Sequence, residues 1–280
     1  MRTVLNRMLV SAIGVAMQVL VGAAQQPSDV QRNKQLINDF FNFRGARQER
    51  AMKFMSDTYR QHNPRFLKMD TYTGKHGWEA WVAANEQAQK LGNLQLVALG
   101  GIPLRDPIIL IGEGDFALAV YRGNLPDPGD PMQRYEAFAF EAFRFANGKF
   151  IEHWDQVRLT PGWMTPRPPE QPLLQAEPAG QAPAAPAARP APPASEPPAG
   201  CVSNPQTVAQ NKQIVSAVQR ARPKGLTREM LIAECDYAAI VWKQVLPDPD
   251  TAGRTWEAFT FDAYQIRDGK IVAHWDESTP

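Results

Sequence analysis

Two stretches of this chain carry the same reactive triplet. Asn147–Asp155 reads NGKFIEHWD and Asp268–Asp276 reads DGKIVAHWD. In an extended strand, residues two apart point to one side. His153 and Asp155 therefore share a face, and Trp154 points the other way. A carboxylate and an imidazole suffice for proton transfer without a cofactor, given a donor for the developing negative charge and surroundings dry enough to bring pKa values toward neutrality. On that reading Asp155 is the general acid/base, His153 orients it or relays protons, and His62 with Asn63 polarises a carbonyl. An architectural reading stands beside it. His274-Trp275-Asp276 repeats the triplet, so Trp154 and Trp275 can fill a sheet-packing site while each Asp accepts hydrogen bonds from neighbouring strands or a partner.

Other chemistries find less support. His62, His153 and Asp155 make a two-His-one-carboxylate set, but residue type alone speaks for it, so neither a metal nor a cofactor is expected. Glu136 and Glu141 are an odd number of residues apart, which puts them on opposite strand faces unless a bulge intervenes. One of them can serve as a pocket carboxylate; otherwise both face water or pair with Arg134 or Arg144. There is no Gly-x-Ser-x-Gly, phosphate-binding loop or dinucleotide fingerprint, which disfavours nucleophilic and nucleotide-dependent reactions. With 30 basic against 29 acidic residues and no basic cluster, nucleic acid is not an expected partner.

The elements that must hold these residues follow from periodicity. Val30 to Phe43 has Leu36, Ile37, Phe40 and Phe41 at helical spacing, with Ser28 and Asp29 as cap candidates. Further helices are expected over Arg47–Met55 and Trp78–Lys90, the latter with Trp78, Trp81 and Val82 on one face. Strands are expected over Leu94–Leu99, Pro107–Ile111, Phe116–Arg122, Arg134–Phe145 and Phe150–Val157. Glu113-Gly114-Asp115 and Asn147-Gly148 supply turns, and Asn63-Pro64 gives a turn signal. Helices followed by a curved antiparallel sheet make an α+β architecture with a cone-shaped interior, where a small apolar ligand fits.

Composition and repetition divide the chain. Arg2 and Arg7, an apolar run from Met8 to Val21 and Gly22-Ala23-Ala24 read as a signal peptide over residues 1–24, which implies an exported protein, periplasmic or secreted, with no stable membrane insertion. Residues 161–203 are rich in Pro and Ala and read as a disordered linker. They separate a complete domain (residues 25–160) from a truncated repeat (residues 204–280). YEAFAFEAFRFANGKFIEHWD (Tyr135–Asp155) matches WEAFTFDAYQIRDGKIVAHWD (Trp256–Asp276) at an offset of 121, as does Ile111–Pro128 with Ile232–Pro249. Arg32–Ile37 matches Gln210–Val215 at 178, so the second copy lacks 57 residues, between about Gly45 and Pro103. Phe138, Phe140 and Ala142 reappear as Phe259, Phe261 and Ala263. An unplugged sheet would expose too large an apolar patch, so the second copy is expected to pack on the first or in a homodimer. Cys201 and Cys235 either pair in a disulfide, which export permits, or stay free thiols.

DTYRQHNPRF (Asp57–Phe66), GKHGWEAW (Gly74–Trp81), GEGDFALAV (Gly112–Val120) and NGKFIEHWD together resemble, in that order, the SnoaL-like polyketide cyclase family, and within it the predicted aldol-condensation proteins. That family belongs to the nuclear transport factor 2-like superfamily. The resemblance covers nearly all of residues 29–160. It implies a helix-plugged curved sheet forming a cystatin-like cone, with His62 at the cone's mouth. It also implies a small apolar or carbonyl-bearing ligand, contacted by Tyr59, Gln61, Asn63, Trp78 and Trp81. Some members close rings by aldol condensation without metal or cofactor; others are non-catalytic binders or dimerising modules, and fold alone does not choose between them.

Overall fold

The computed structural model describes residues 27–91, 102–127, 130, 132–157, 203–218 and 225–276. The segment read as a signal peptide, the strand expected over Leu94–Leu99, all of the segment read as a linker (161–203) except Ser203, and Cys201 lie outside these residues. Cys235 is disulfide-bonded.

The first part runs α1 (Pro27–Asn42), α2 (Arg47–Phe54), β1 (Met55–Gln61), α3 (Pro64–Thr73), α4 (Gly77–Lys90), β2 (Ile109–Glu113), β3 (Phe116–Pro126), β4 (Arg134–Ala146) and β5 (Lys149–Asp155). The second runs α5 (Pro205–Val218), β6 (Thr227–Glu234), β7 (Tyr237–Pro247), β8 (Thr255–Arg267) and β9 (Lys270–Asp276). Among the described residues no helix is long and apolar enough to cross a membrane.

Five strands form one sheet in the order β1-β5-β4-β3-β2, and four form another in the order β6-β7-β8-β9. The second sheet is antiparallel throughout, but the first is mixed because β1 runs parallel to β5. This corrects the expectation of a purely antiparallel sheet. A tight hairpin joins β4 to β5: Asn147 (φ 53°) and Gly148 (φ 71°) both take left-handed backbone, the demand of a two-residue turn that follows strand twist. Asp268 and Gly269 repeat it between β8 and β9. Register shifts at Arg144/Phe145 and Gln265/Ile266 place a bulge at the same point of both hairpins, and bulges bend the strand that carries them.

Strand alternation sorts the first sheet into two faces. Ala117, Ala119, Tyr121, Ala139, Phe143 and Phe145 face the helices, where Ile37 and Phe40 of α1, Phe54 of α2 and Phe150 complete a core. The opposite residues, including Leu118, Val120, Phe140, Ala142 and Trp154, meet Phe259, Phe261, Ala263 and Trp275 of the second sheet. Each buried Phe there is worth about 2–3 kcal/mol. The second sheet's other face is covered by α5 through Val215, Ile240, Trp242, Tyr264 and Ile266.

Candidate functional site

β4 and β5 bring three ionisable side chains together on the helix-side face. Their register pairs Glu141 with Asp155 and Phe143 with His153. Glu141 (2 % exposed), His153 (6 %) and Asp155 (4 %) are all buried. His153 Nε2 bonds directly to Glu141 Oε2, and the His153 ring stacks on Phe143 at 4.1 Å between centroids. Tyr121, diagonal to Glu141 on β3, lies on the same face with its hydroxyl buried.

The remaining polar partners come from β1 and the turn after it. Tyr59 and Gln61 are two apart on β1, so they point the same way. Tyr59 Oη donates to Gln61 Oε1 at 2.6 Å and lies 3.1 Å from His153 Nδ1. Gln61 Nε2 donates to Asp155 Oδ2 at 2.8 Å, and Asn63 Nδ2 donates to the same oxygen at 3.1 Å. Asn63 also starts α3: its Oδ1 accepts the Arg65 N–H at 2.9 Å and its carbonyl accepts the Leu67 N–H at 3.1 Å. Asparagine followed by proline suits a helix start, because the side chain caps a free N–H and proline lacks one to satisfy. One asparagine thus fixes both a helix terminus and a carboxylate.

Burial dominates the electrostatics. It pushes the Asp155 carboxyl up to about 7, with Asn63 and Arg65 opposing the rise. Burial likewise raises Glu141 well above the carboxylate range and lowers His153 to about 4. Among the described residues, two buried polar atoms here have no hydrogen-bond partner: Asp155 Oδ1 and Tyr121 Oη. Burial also raises the Tyr121 hydroxyl well above its ordinary value.

His62 does not join this group. Its backbone N–H bonds to the His153 carbonyl, and its ring turns to the other face of the sheet. There it stacks on Trp154 at 4.5 Å, lies edge-on to Phe259 at 5.7 Å, and bonds through Nε2 to Glu152 Oε2 at 2.8 Å. The expected trio of His62, His153 and Asp155 is therefore split by the sheet, and strand geometry explains why: the chain turns at His62 just past the end of β1. Desolvation lowers the His62 pKa.

The two tryptophans of α4 serve the helical layer. Trp78 Nε1 donates to Asp57 Oδ1 at 3.1 Å, and Trp81 packs edge-on to Phe40 at 6.0 Å. Here α4 approaches β1 so closely that a Cβ on Gly77, whose φ is 59°, would lie 2.1 Å from the Asp57 carbonyl oxygen.

Of the alternatives open for Glu141, its burial fits a carboxylate inside the fold rather than one facing water or pairing with Arg144, and Tyr121 was not among the expected site residues. Arg144 instead bonds Asp115 and Glu152, while Glu136 pairs with Arg122. The usable signal was parity: Glu141 alternates with Ala139, Phe143 and Phe145, all helix-facing, as Tyr121 does with Ala117 and Ala119.

The second sheet carries the positional counterparts Asp262, His274 and Asp276. Asp262 is fully buried, accepts from Trp242 Nε1 and bonds His274 Nε2, each at 2.7 Å. The His274 side chain is 38 % exposed. In each set one nitrogen or oxygen from each residue lies within 4.8 Å of the others, a spacing that a divalent metal could use. In the first set both nitrogens of His153 are already engaged, by Glu141 and Tyr59.

No protein-family model matches the chain, and no curated protein matches it. The chain is similar to an NTF2-like protein of unknown function from Burkholderia pseudomallei K96243, at 14% identity over 45% of this chain and 91% of that one, with a TM-score of 0.32. It is also similar to a candidate SnoaL-like polyketide cyclase from Jannaschia sp. CCS1, at 17% identity over 47% of this chain and 88% of that one, with a TM-score of 0.29.

Proposed function

We propose that this chain is an exported SnoaL-like protein that binds a small apolar, carbonyl-bearing molecule at the helix-side face of its first sheet and catalyses cofactor-free proton transfer beside that carbonyl. The observation that carries this reading is the pair of buried, unpartnered atoms on one face, the acceptor Asp155 Oδ1 and the donor Tyr121 Oη. Gln61 and Asn63 hold the other carboxylate oxygen, so Asp155 presents Oδ1 alone. In the step itself, Oδ1 takes a proton from the carbon next to the carbonyl. The C–H electron pair becomes the enolate double bond, and the negative charge on oxygen is met by the Tyr121 O–H. A carboxyl near neutrality is suited to take that proton and give it back at another position.

The test is deuterium uptake by NMR at the α-carbon of a panel of cyclic and aromatic ketones. Uptake that Asp155→Asn abolishes is the expected result, and Tyr121→Phe should slow it by roughly 10²–10³. Saturable binding without exchange would favour a non-catalytic binder, and absence of both would remove the reading.

A second observation bears on the other half. Equivalent residues of the two sheets meet reciprocally. The Gly112 N–H donates to Glu234 at 2.8 Å and the Ala233 N–H to Glu113 at 2.9 Å, while Lys34 pairs with Glu234 and Lys212 with Glu113. Phe140 stacks on its own counterpart, Phe261, at 5.6 Å. Contacts of this kind are the signature of a two-fold interface. In our reading the truncated repeat takes the place of a second subunit and covers the apolar face within one chain.

A further inference from the structure

The hydrogen bonds that end at Asp155 have a direction, and following it back leads to Glu141. Tyr59 has a single hydroxyl proton, donated to Gln61 Oε1. That orientation leaves the Gln61 amide N–H for Asp155 Oδ2. With its proton committed, the Tyr59 oxygen can only accept from His153 Nδ1, 3.1 Å away, so Nδ1 carries a hydrogen. A neutral imidazole holds one N–H, which leaves a lone pair on Nε2, facing Glu141 Oε2. Two lone pairs do not bond, and the contact therefore needs a proton between them.

We propose that Glu141 supplies this proton as a neutral carboxylic acid, and that it is the positioning residue that fixes the His153 tautomer, the Tyr59 hydroxyl and the Gln61 amide so that Asp155 receives an N–H on Oδ2 and keeps Oδ1 for substrate. The inference rests on the acid–base role of Asp155 given above. The alternative, an imidazolium facing a carboxylate, would bury two charges, and burial opposes both: it lowers His153 and raises Glu141. An ionised Glu141 beside neutral His153 would reverse the chain. Nε2 would take the hydrogen, Tyr59 would turn its proton to Nδ1, and Gln61, having lost its donor, would be free to present its carbonyl to the Asp155 carboxylate. That arrangement sets two acceptors against each other.

The other groups facing this cluster are consistent with a neutral Glu141. Tyr121 is an un-ionised phenol, Phe143 is apolar, and Arg65 acts on Asp155. A carboxyl kept neutral so that it can donate a hydrogen bond is an established device of apolar sites.

The experiment is ¹⁵N-histidine NMR on the full chain, with the His153 signals identified by their loss in His153→Gln. The expected result is a neutral ring protonated on Nδ1, unchanged from about pH 8 to pH 5. Glu141→Gln keeps a donor opposite Nε2, so the tautomer should persist, and deuterium exchange should fall by no more than a few-fold. Glu141→Leu should lose the single tautomer and cut exchange at least tenfold, with a shifted pH profile. A His153 ring that is protonated on Nε2, or is an imidazolium at pH 7, overturns the proposal. So does Glu141→Gln behaving like Glu141→Leu. Because the tautomer is read without substrate, a chain inactive on every ketone would sink the catalytic reading and leave this inference to stand or fall on the spectrum.

Discussion

Among the described residues, Asp155 has two donors on one oxygen and none on the other, inside a site with almost no water contact. Holding it there has a consequence for stability. Its carboxyl titrates at about 7 when folded, against an ordinary value of 3.8, so between these limits the folded chain binds a proton that the unfolded chain has released. Stability must then fall as pH rises from about 4 to about 7 and stay lowered above it. His153 acts the opposite way: lowered to about 4 from 6.5, it makes stability fall as pH drops through that interval. In the wild type the two slopes largely cancel between pH 4 and 6.5. Comparison with Asp155→Asn brings out the carboxyl, and the loss of the neighbour that raises His153 works in the same direction. The variant should gain on the wild type from pH 4 to pH 7, reaching a few kcal/mol, as measured by urea unfolding at each pH. A constant difference would mean that Asp155 is not held near neutrality. At this scale part of the site could be read in advance. Strand parity alone puts His153 and Asp155 on one face. Glu141 stayed open between pocket and solvent because an acidic residue in an apolar strand fits either until its neighbour across the hairpin is known.

The elements around the site differ in how legible they were. The long amphipathic helices fall close to where their periodicity put them, since the apolar stripes at Ile37 and Phe40 leave few alternatives. β1 and α3 were not anticipated. MSDTYRQ is mostly polar and buries only Met55, Tyr59 and Gln61, because β1 sits at a sheet edge; its parallel pairing to β5 is a tertiary choice that local sequence does not record. Asn63-Pro64 was read as a turn, which it is, but the turn is also the start of a helix. This double duty can be separated by substitution. Asn63→Ala removes both the cap and the donor to Asp155, and should cost about 1–2 kcal/mol. Asn63→Asp keeps a capping oxygen and loses the N–H, setting a second carboxylate beside Asp155. It should retain more of the helix stability than Asn63→Ala while moving the Asp155 titration upward. Chemical denaturation and the pH dependence of exchange would report these separately. If Asn63→Asp left the Asp155 titration unchanged, the bond between Nδ2 and Oδ2 would not be what holds the carboxylate.

For the whole molecule, matching stretches at a constant offset of 121 could be read from the sequence, but not the geometry of contact between the halves. That depends on two edge strands, β2 and β6, each offering a glutamate to a backbone N–H of the other. The two glutamates stand at the same offset of 121 yet are differently placed: the Glu234 side chain is 5 % exposed, and that of Glu113 is 34 %. Water therefore screens Glu113 more, and the loss of charge should be felt less there. We expect Glu234→Gln to cost about 2 kcal/mol and Glu113→Gln about 1 kcal/mol, from the general strength of charge-assisted hydrogen bonds. If the truncated repeat covers the first sheet within one chain, the midpoint of thermal unfolding should not change with protein concentration, in the wild type or in either variant. Light scattering should likewise give the mass of a single chain. Were the apolar face instead covered by a second molecule, dilution would lower the midpoint, because folding would then be coupled to association. A midpoint that falls on dilution would therefore overturn the single-chain reading even if both glutamate variants weakened the protein as expected.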